Sequence, residues 1–214
     1  MKNTTLAVSI VATLAGFGMS SIASGAVVVI NSRATWDVYV GFQGATVATE
    51  DFESFAPGFA ESATRAVGGT TWTANATGGL YFGDVNVPPV HQVMSTNIAD
   101  QTLNFTFAPG VQGIGGEMFG TDSGFDVVLA RITVMLADGT SYVNDQTSAS
   151  DFVGFYSNGA AIASLSVSTP IDGTFATVDN LYFATVPAPG ALALLSLAGV
   201  VGGRSRRRAT SAAV

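Results

Sequence analysis

The side chains able to do chemistry in this chain are few in kind. It has one histidine, His91, no cysteine, and fifteen carboxylates against eight basic residues in 214 positions. A protein-held zinc ion needs several nitrogen or sulfur ligands, which one histidine and no thiolate do not supply. A Ser-His-Asp triad would have to use His91, which stands beside Pro88-Pro89 in a stretch that reads as loop. The chain has no Gly-x-Ser-x-Gly elbow, and the run from Gly154 to Gly159 has the wrong spacing for one. Glycoside hydrolysis needs only two carboxylates about 5–10 Å apart, and nothing singles out such a pair. The expectation is therefore a protein without catalysis. Sugar recognition needs less: an exposed ring to stack on a sugar face, flanked by amides or carboxylates. Trp72, Tyr81, Tyr142 and Tyr156 are the candidates, with Trp72 and Tyr156 carried forward as ligand-binding residues, although aromatics in a sheet protein are mostly core.

These side chains must be positioned by strands. Thr102–Phe107 alternates Leu103, Phe105 and Phe107 with Thr102, Asn104 and Thr106, the period-two pattern of a half-buried strand. Further strands are expected at Val27–Ile30, Thr46–Glu53, Thr70–Thr73, Leu80–Phe82, Val111–Phe119, Val127–Leu136, Thr140–Val143, Phe152–Tyr156, Ile162–Val167 and Phe175–Phe183. Asp138-Gly139 is the strongest hairpin signal. One short helical turn, Arg33 to Val40, capped by Asn31 or Ser32, would place Trp36 on one side. The stretch through Pro88-Pro89 reads as loop. Short strands at this spacing imply an all-β fold, a single β-sandwich of jelly-roll type.

The two ends differ from this body. Residues 1–26 carry Lys2, an apolar stretch from Leu6 to Met19 and small residues at Ser21-Ile22-Ala23 and Ser24-Gly25-Ala26, the pattern of a secretory signal peptide. Residues 27–184 form the extracytoplasmic domain. Within it only Arg33, Arg65 and Arg131 are basic, while all fifteen carboxylates lie there, so the body is far more acidic than the overall −7. Such a surface argues against nucleic acid and against anionic polysaccharide, and is compatible with neutral glycans, divalent cations or plain solubility. A secreted body without cysteines has no disulfides and relies on its core or on a metal.

Residues 185–208 fall into three blocks: Val186, Pro187, Ala188 and Pro189; an uncharged apolar run over 190–203; and a basic cluster over 204–208 with Arg204, Arg206, Arg207 and Arg208. A short polar tail, 209–214, follows. The run is short for a spanning helix, which takes roughly 17–25 residues, and the arginines would hold its end in the cytoplasm. This order resembles the PEP-CTERM sorting signal of exopolysaccharide-making Gram-negative bacteria, in a Val-Pro-Ala-Pro-Gly form with Ala188 where the family usually has Glu. The resemblance implies a single short transmembrane helix at 190–203, recognition by exosortase and transient insertion in the inner membrane. Delivery to the cell surface or extracellular matrix would follow export by the Sec machinery and signal peptidase.

Glu50-Asp51-Phe52-Glu53, Phe152-Val153-Gly154-Phe155-Tyr156-Ser157 and Val178-Asp179-Asn180-Leu181-Tyr182-Phe183 resemble segments of PEP-CTERM extracellular domains and of carbohydrate-binding-module-like jelly rolls. That resemblance implies an early strand beside the last one, sharing a structural calcium held by Asp51, Glu53 and Asp179. It also implies a neutral extracellular polysaccharide as partner. Two readings follow: a non-catalytic, exosortase-sorted surface or matrix protein, and a calcium-dependent carbohydrate-binding module. A carboxylate glycosidase is the third. Intact-mass analysis of the protein from its native envelope is expected to find a chain starting near Ser24–Val27 and ending near Pro187–Pro189. A chain still carrying Arg204–Arg208 would mean a plain membrane anchor.

Overall fold

The computed structural model describes residues 27–84, 91–124, 126–146, 148 and 151–186. The signal segment, the apolar run 190–203, the motif residues Pro187, Ala188 and Pro189, and the cluster of Arg204, Arg206, Arg207 and Arg208 lie outside the described residues. Among the described residues no helix is long and apolar enough to cross a membrane.

The chain runs β1 (Val27–Ile30), α1 (Arg33–Phe42), β2 (Thr46–Glu50), β3 (Gly58–Val67), β4 (Thr70–Asp84), β5 (Gln92–Thr96) and β6 (Leu103–Phe107). It continues through β7 (Val111–Thr121), β8 (Val127–Val128), β9 (Ala130–Leu136), β10 (Ser141–Gln146), β11 (Phe152–Ser157), β12 (Ile162–Ser168) and β13 (Phe175–Thr185). All pairings are antiparallel, in the order β1-β11-β7-β13-β5-β4-β6-β12-β9-β10, with β2, β3 and β8 attached to β13, β4 and β7.

This sheet folds over on itself. Trp72–Asn75 of β4 pairs with β6, whereas Leu80–Asp84 of the same strand pairs with β5. The strand turns from one flank to the other at Gly78-Gly79, where Gly79 takes φ +82°. The flank β1-β11-β7-β13 with β2 and β5 thus faces the flank β3-β4-β6-β12-β9-β10. Ile114, Phe155, Val178 and Phe183 of the first meet Trp72, Phe105, Ile132 and Leu165 of the second in one buried core. Alternation explains the assignment: in β6, Leu103 and Phe105 point inward while Thr106 is exposed. The fold is all-β, close to a sandwich or barrel.

Helix α1 covers the outer side of the first flank. The Ser32 hydroxyl caps it, accepting from the Thr35 amide at 3.5 Å. Trp36 and Val40 pack with Phe152, Tyr156 and Tyr182 in a second, smaller core. Trp36 reaches the sheet because position 154 has no side chain: a Cβ there would lie 2.1 Å from Trp36 Cδ1.

Two strands were not expected. β3 occupies a stretch of alanines, Glu61, Thr64 and Arg65, with only Ala63 fully buried, because it is an edge strand held by β4. β5 follows the Pro88-Pro89 stretch and is almost wholly buried. The expected strand at Val127–Leu136 divides between β8 and β9 at Leu129, and the strands at Thr70–Thr73 and Leu80–Phe82 are parts of the one strand β4.

Gly154→Ala is expected to cost about 1–3 kcal/mol in urea unfolding, by driving a methyl group into Trp36. Gly41→Ala, in α1 with nothing within 4 Å of the new Cβ, is expected to raise stability by about 0.5–1 kcal/mol.

Candidate functional site

Strand β13 fixes the geometry of the site. It pairs with β7 from Phe175↔Thr121 to Thr185↔Val111, slipping between Val178 and Leu181. Its other edge is shared. β5 takes Thr177 and Val178, and β2 takes Leu181 to Thr185. Asp179 and Asn180 fall in the notch between them.

The carboxylates expected to share a calcium gather at this notch. Leu181 pairs with Glu50, so the segment carrying Asp51 and Glu53 leaves β2 beside Asp179. Their charges act on Asp179, whose pKa is raised by burial first, with Glu53 and Asp51 adding to the rise and His91 opposing it. Glu53 Oε1 accepts from the Gln92 amide at 2.9 Å and lies 3.8 Å from His91 Nδ1; Asp51 Oδ1 accepts from the Glu53 amide at 3.2 Å. Among the described residues no three His, Cys, Asp or Glu side chains are grouped so as to hold a metal ion. Glu117, unnoticed in the sequence, joins the same notch opposite the slip in β13. Burial and then Asp179 raise its pKa, and Tyr182 is pushed up to about 12 by burial and by Glu117. The Arg33 guanidinium lies 3.5 Å over the Tyr182 ring.

Trp72 and Tyr156 are not the exposed platforms expected of them. Trp72 is fully buried between Phe52 and Phe105 at ring distances of 6.0 Å, and its indole N–H donates to Glu50 Oε2 at 3.2 Å. The physical reason is pleat parity: in β4 the even positions Trp72 and Ala74 face the core and Thr71 faces solvent. Tyr156 is 4% exposed and packs edge-on against Tyr39 at 5.5 Å. Tyr142 is half-buried beside the core, and His91 is exposed.

Parity puts Tyr81, between inward Leu80 and Phe82, on the outer face, where it is 43% exposed. Its ring lies over Gly83, where a Cβ would come 2.7 Å from Tyr81 Cε1. A side chain at 83 would lift the ring off the strand. The ring borders a cleft of about 300 Å³ on the outer side of β4, β5, β13 and β7, with Asp84, Ser95, Asn97, Asp122 and Ser123 among its lining residues. Across the floor runs a row of hydroxyls from three adjacent strands. Thr177 Oγ1 donates to Ser95 Oγ at 3.1 Å and lies 3.2 Å from Thr121 Oγ1, and Ser95 Oγ donates to the Ala176 carbonyl at 3.2 Å. Asp122 Oδ1 accepts from the amides of Gly124 and Asp126, fixing the rim loop. The arrangement offers one apolar ring face, several neutral polar groups and, among the lining residues, the carboxylates of Asp84 and Asp122. That combination suits a small polyhydroxylated ligand, and the volume lies at the lower end for small-molecule clefts. Asn97 and Ser95 were legible only once the unexpected strand β5 is in place.

Beside Trp72 the core holds a buried carboxyl group. Glu50, 1% exposed, accepts from the Phe52 amide at 3.1 Å, Trp72 Nε1 at 3.2 Å and the Arg65 guanidinium at 3.2 Å. Burial dominates and raises its pKa, with these partners opposing.

No protein-family model matches the sequence, and no curated protein matches it significantly. Solved structures share only a weak likeness. The solution structure of the carbohydrate-binding module CtCBM11 has a TM-score of 0.33 at 13% identity, covering 68% of this chain and 97% of that one. A family two carbohydrate esterase from Cellvibrio japonicus has a TM-score of 0.31 at 13% identity, over 56% of this chain. This chain spans 36% of the esterase's length. The module TmCBM61, solved with beta-1,4-galactotriose, has a TM-score of 0.28 at 10% identity, covering 53% of this chain and 83% of that one. Likenesses at this level carry no functional weight.

Glu50→Ala is expected to cost about 3 kcal/mol, because it leaves the buried Trp72 N–H without its acceptor, removes one of Arg65's partners and opens a cavity. Glu50→Gln is expected to cost less than half of that. A carboxyl whose folded pKa is raised binds its proton more tightly in the folded state. Wild-type stability relative to Glu50→Gln should therefore fall as pH rises through the window that opens at the usual 4.5. Urea midpoints of both proteins from pH 4 to 8 check the sign.

Proposed function

We propose that this chain is an exported, non-catalytic surface protein whose β body binds a neutral saccharide in the Tyr81 cleft. The observation that carries the reading is the Tyr81 ring laid over Gly83 at the edge of a hydroxyl-floored cleft. Stacking on one sugar face gives affinity, while Ser95 and Asn97 offer hydroxyl and amide partners in place of water, with the buried Thr177 hydroxyl holding Ser95 from below. The acidic character of the body favours an uncharged glycan over an anionic one. The cleft needs no metal for this, so the calcium-dependent form of the reading is not the one adopted. A jelly-roll ancestry of the carbohydrate-binding-module kind accords with the folded-over antiparallel sheet.

The resemblance of residues 186–208 to a PEP-CTERM signal supplies the delivery route. The signal peptide directs export, the tail holds the body at the inner membrane, and exosortase releases it to the cell surface or the exopolysaccharide matrix. A surface protein with a sugar cleft would there meet neutral polysaccharide at high local concentration. Weak, repeated contacts suit that setting.

Tyr81→Ala is expected to weaken binding of neutral oligosaccharides by about tenfold or more, equal to about 1.4 kcal/mol. Phe59→Ala, at an exposed ring outside the cleft lining, should leave binding unchanged. Titration calorimetry on hits from a glycan array reads both. An array without hits, or binding that survives loss of Tyr81, would remove the proposal.

A further inference from the structure

The last described residue, Val186, stands at one end of the first flank, and the neighbouring segments there can be read from the registers. Thr185 pairs with both Val111 and Thr46, Tyr156 with Gly113, and Val27 with Ser157. The turns at this end are therefore Gln43–Ala45, Ala108–Gly110 and Asn158–Ala161. Not one residue in them is charged. The hairpin Gly68-Gly69 lies alongside, since the Ala108 amide donates to the Thr71 carbonyl at 2.8 Å, and it too is neutral. Asp138, in the β9–β10 turn of the second flank, is the one carboxylate among these turns. The remaining loops carry the acidity, with Asp51, Asp100, Asp122, Asp126, Asp151 and Asp172. A body with fifteen carboxylates and three arginines has segregated its charge away from the end where the chain departs.

That end is also apolar in relief. Phe42, the last residue of α1, is 86% exposed, and Val38, one helical turn earlier on the same side, is 60% exposed. Gln43, next to Phe42, lines a surface depression together with Val186, Gly110, Gln112 and Asn158. The depression holds no charged side chain. Val186 is itself 40% exposed.

Only three residues lie between Val186 and the start of the apolar run at Gly190, a reach of about 13 Å when fully extended. If that run sits in a bilayer, whatever surrounds Val186 must sit against the lipid headgroups. We propose that this neutral end, led by Phe42 and Val38, is a membrane-resting face. It seats the body on the outer side of a zwitterionic bilayer during the anchored stage and points the Tyr81 cleft, on the opposite half of β13, away from the lipid. Phe42 would insert shallowly among the headgroups, and the lack of carboxylates in the turns of the first flank limits repulsion from lipid phosphates. The proposal rests on the reading of residues 190–203 as a membrane-inserting segment.

The chain has no cysteine of its own, so single-cysteine labelling is clean. Full-length Phe42→Cys and Ile171→Cys, the latter exposed in the loop before β13, would each carry a bimane label and be reconstituted into phosphatidylcholine–phosphatidylethanolamine vesicles. Flotation is measured first. In the floated fraction the label at 42 is expected to be quenched by brominated lipid and about fivefold less accessible to iodide than the label at 171. Equal iodide access at both sites in floating protein would overturn the membrane-resting face while leaving the anchor intact. Protein that does not float would overturn the anchor reading and this proposal with it.

Discussion

The antiparallel pairing of β13 with β7 is the constraint on which the rest of the structure depends. Its register, from Phe175↔Thr121 to Thr185↔Val111, places both working ends of the molecule on one strand. The first half of β13 supplies Thr177 to the cleft floor. The slip after Val178 opens the acidic notch at Asp179. The last half delivers the chain to the neutral end. A register shift of one residue would turn Thr177 into the core and Val178 out of it, because successive side chains alternate faces. The buried Val178, Leu181 and Phe183 hold that register.

A division of labour follows between the two faces of the first flank. Its inner face closes the core against the second flank. Its outer face is covered by α1 over one half and left open as the Tyr81 cleft over the other. The cleft is rigid for a physical reason: its floor hydroxyls are bonded across β5, β13 and β7, and Tyr81 is held down over Gly83. Preorganised polar groups of this kind reduce the ordering cost of binding a flexible sugar. Glu50 ties β2 to the Trp72 segment of β4 through buried hydrogen bonds, so the two flanks are joined by more than apolar contact.

Much of this architecture was legible in the residues, and the failures have specific causes. Alternation in Leu103–Phe107 and the turn at Asp138-Gly139 located their elements, and the helix came out within two residues of its observed end. The strand β3 escaped because an edge strand needs little apolar surface, and β5 because Pro88-Pro89 and the turn residues around it masked a short buried run. Trp72 and Tyr156 were chosen as platforms by residue type. Parity was the missing signal: Trp72 shares its face with Ala74, while Tyr81 stands between two core residues and must point outward. The gathering of Asp51 and Glu53 near Asp179 followed the expected neighbourhood of β2 and β13, and one oxygen of each accepts from a backbone amide. The charge-poor end has no local sequence signature at all. It is assembled from turns far apart in the chain and appears only when the strand registers bring them together.

The most direct test of the saccharide reading is amide chemical-shift mapping of the exported chain while a neutral oligosaccharide is titrated. The account predicts perturbations confined to Tyr81–Asp84, Ser95–Asn97, Thr121–Ser123 and Phe175–Thr177, saturating together. Perturbations centred on the notch at Asp179, on the neutral end at Val186, or on no contiguous surface would contradict it.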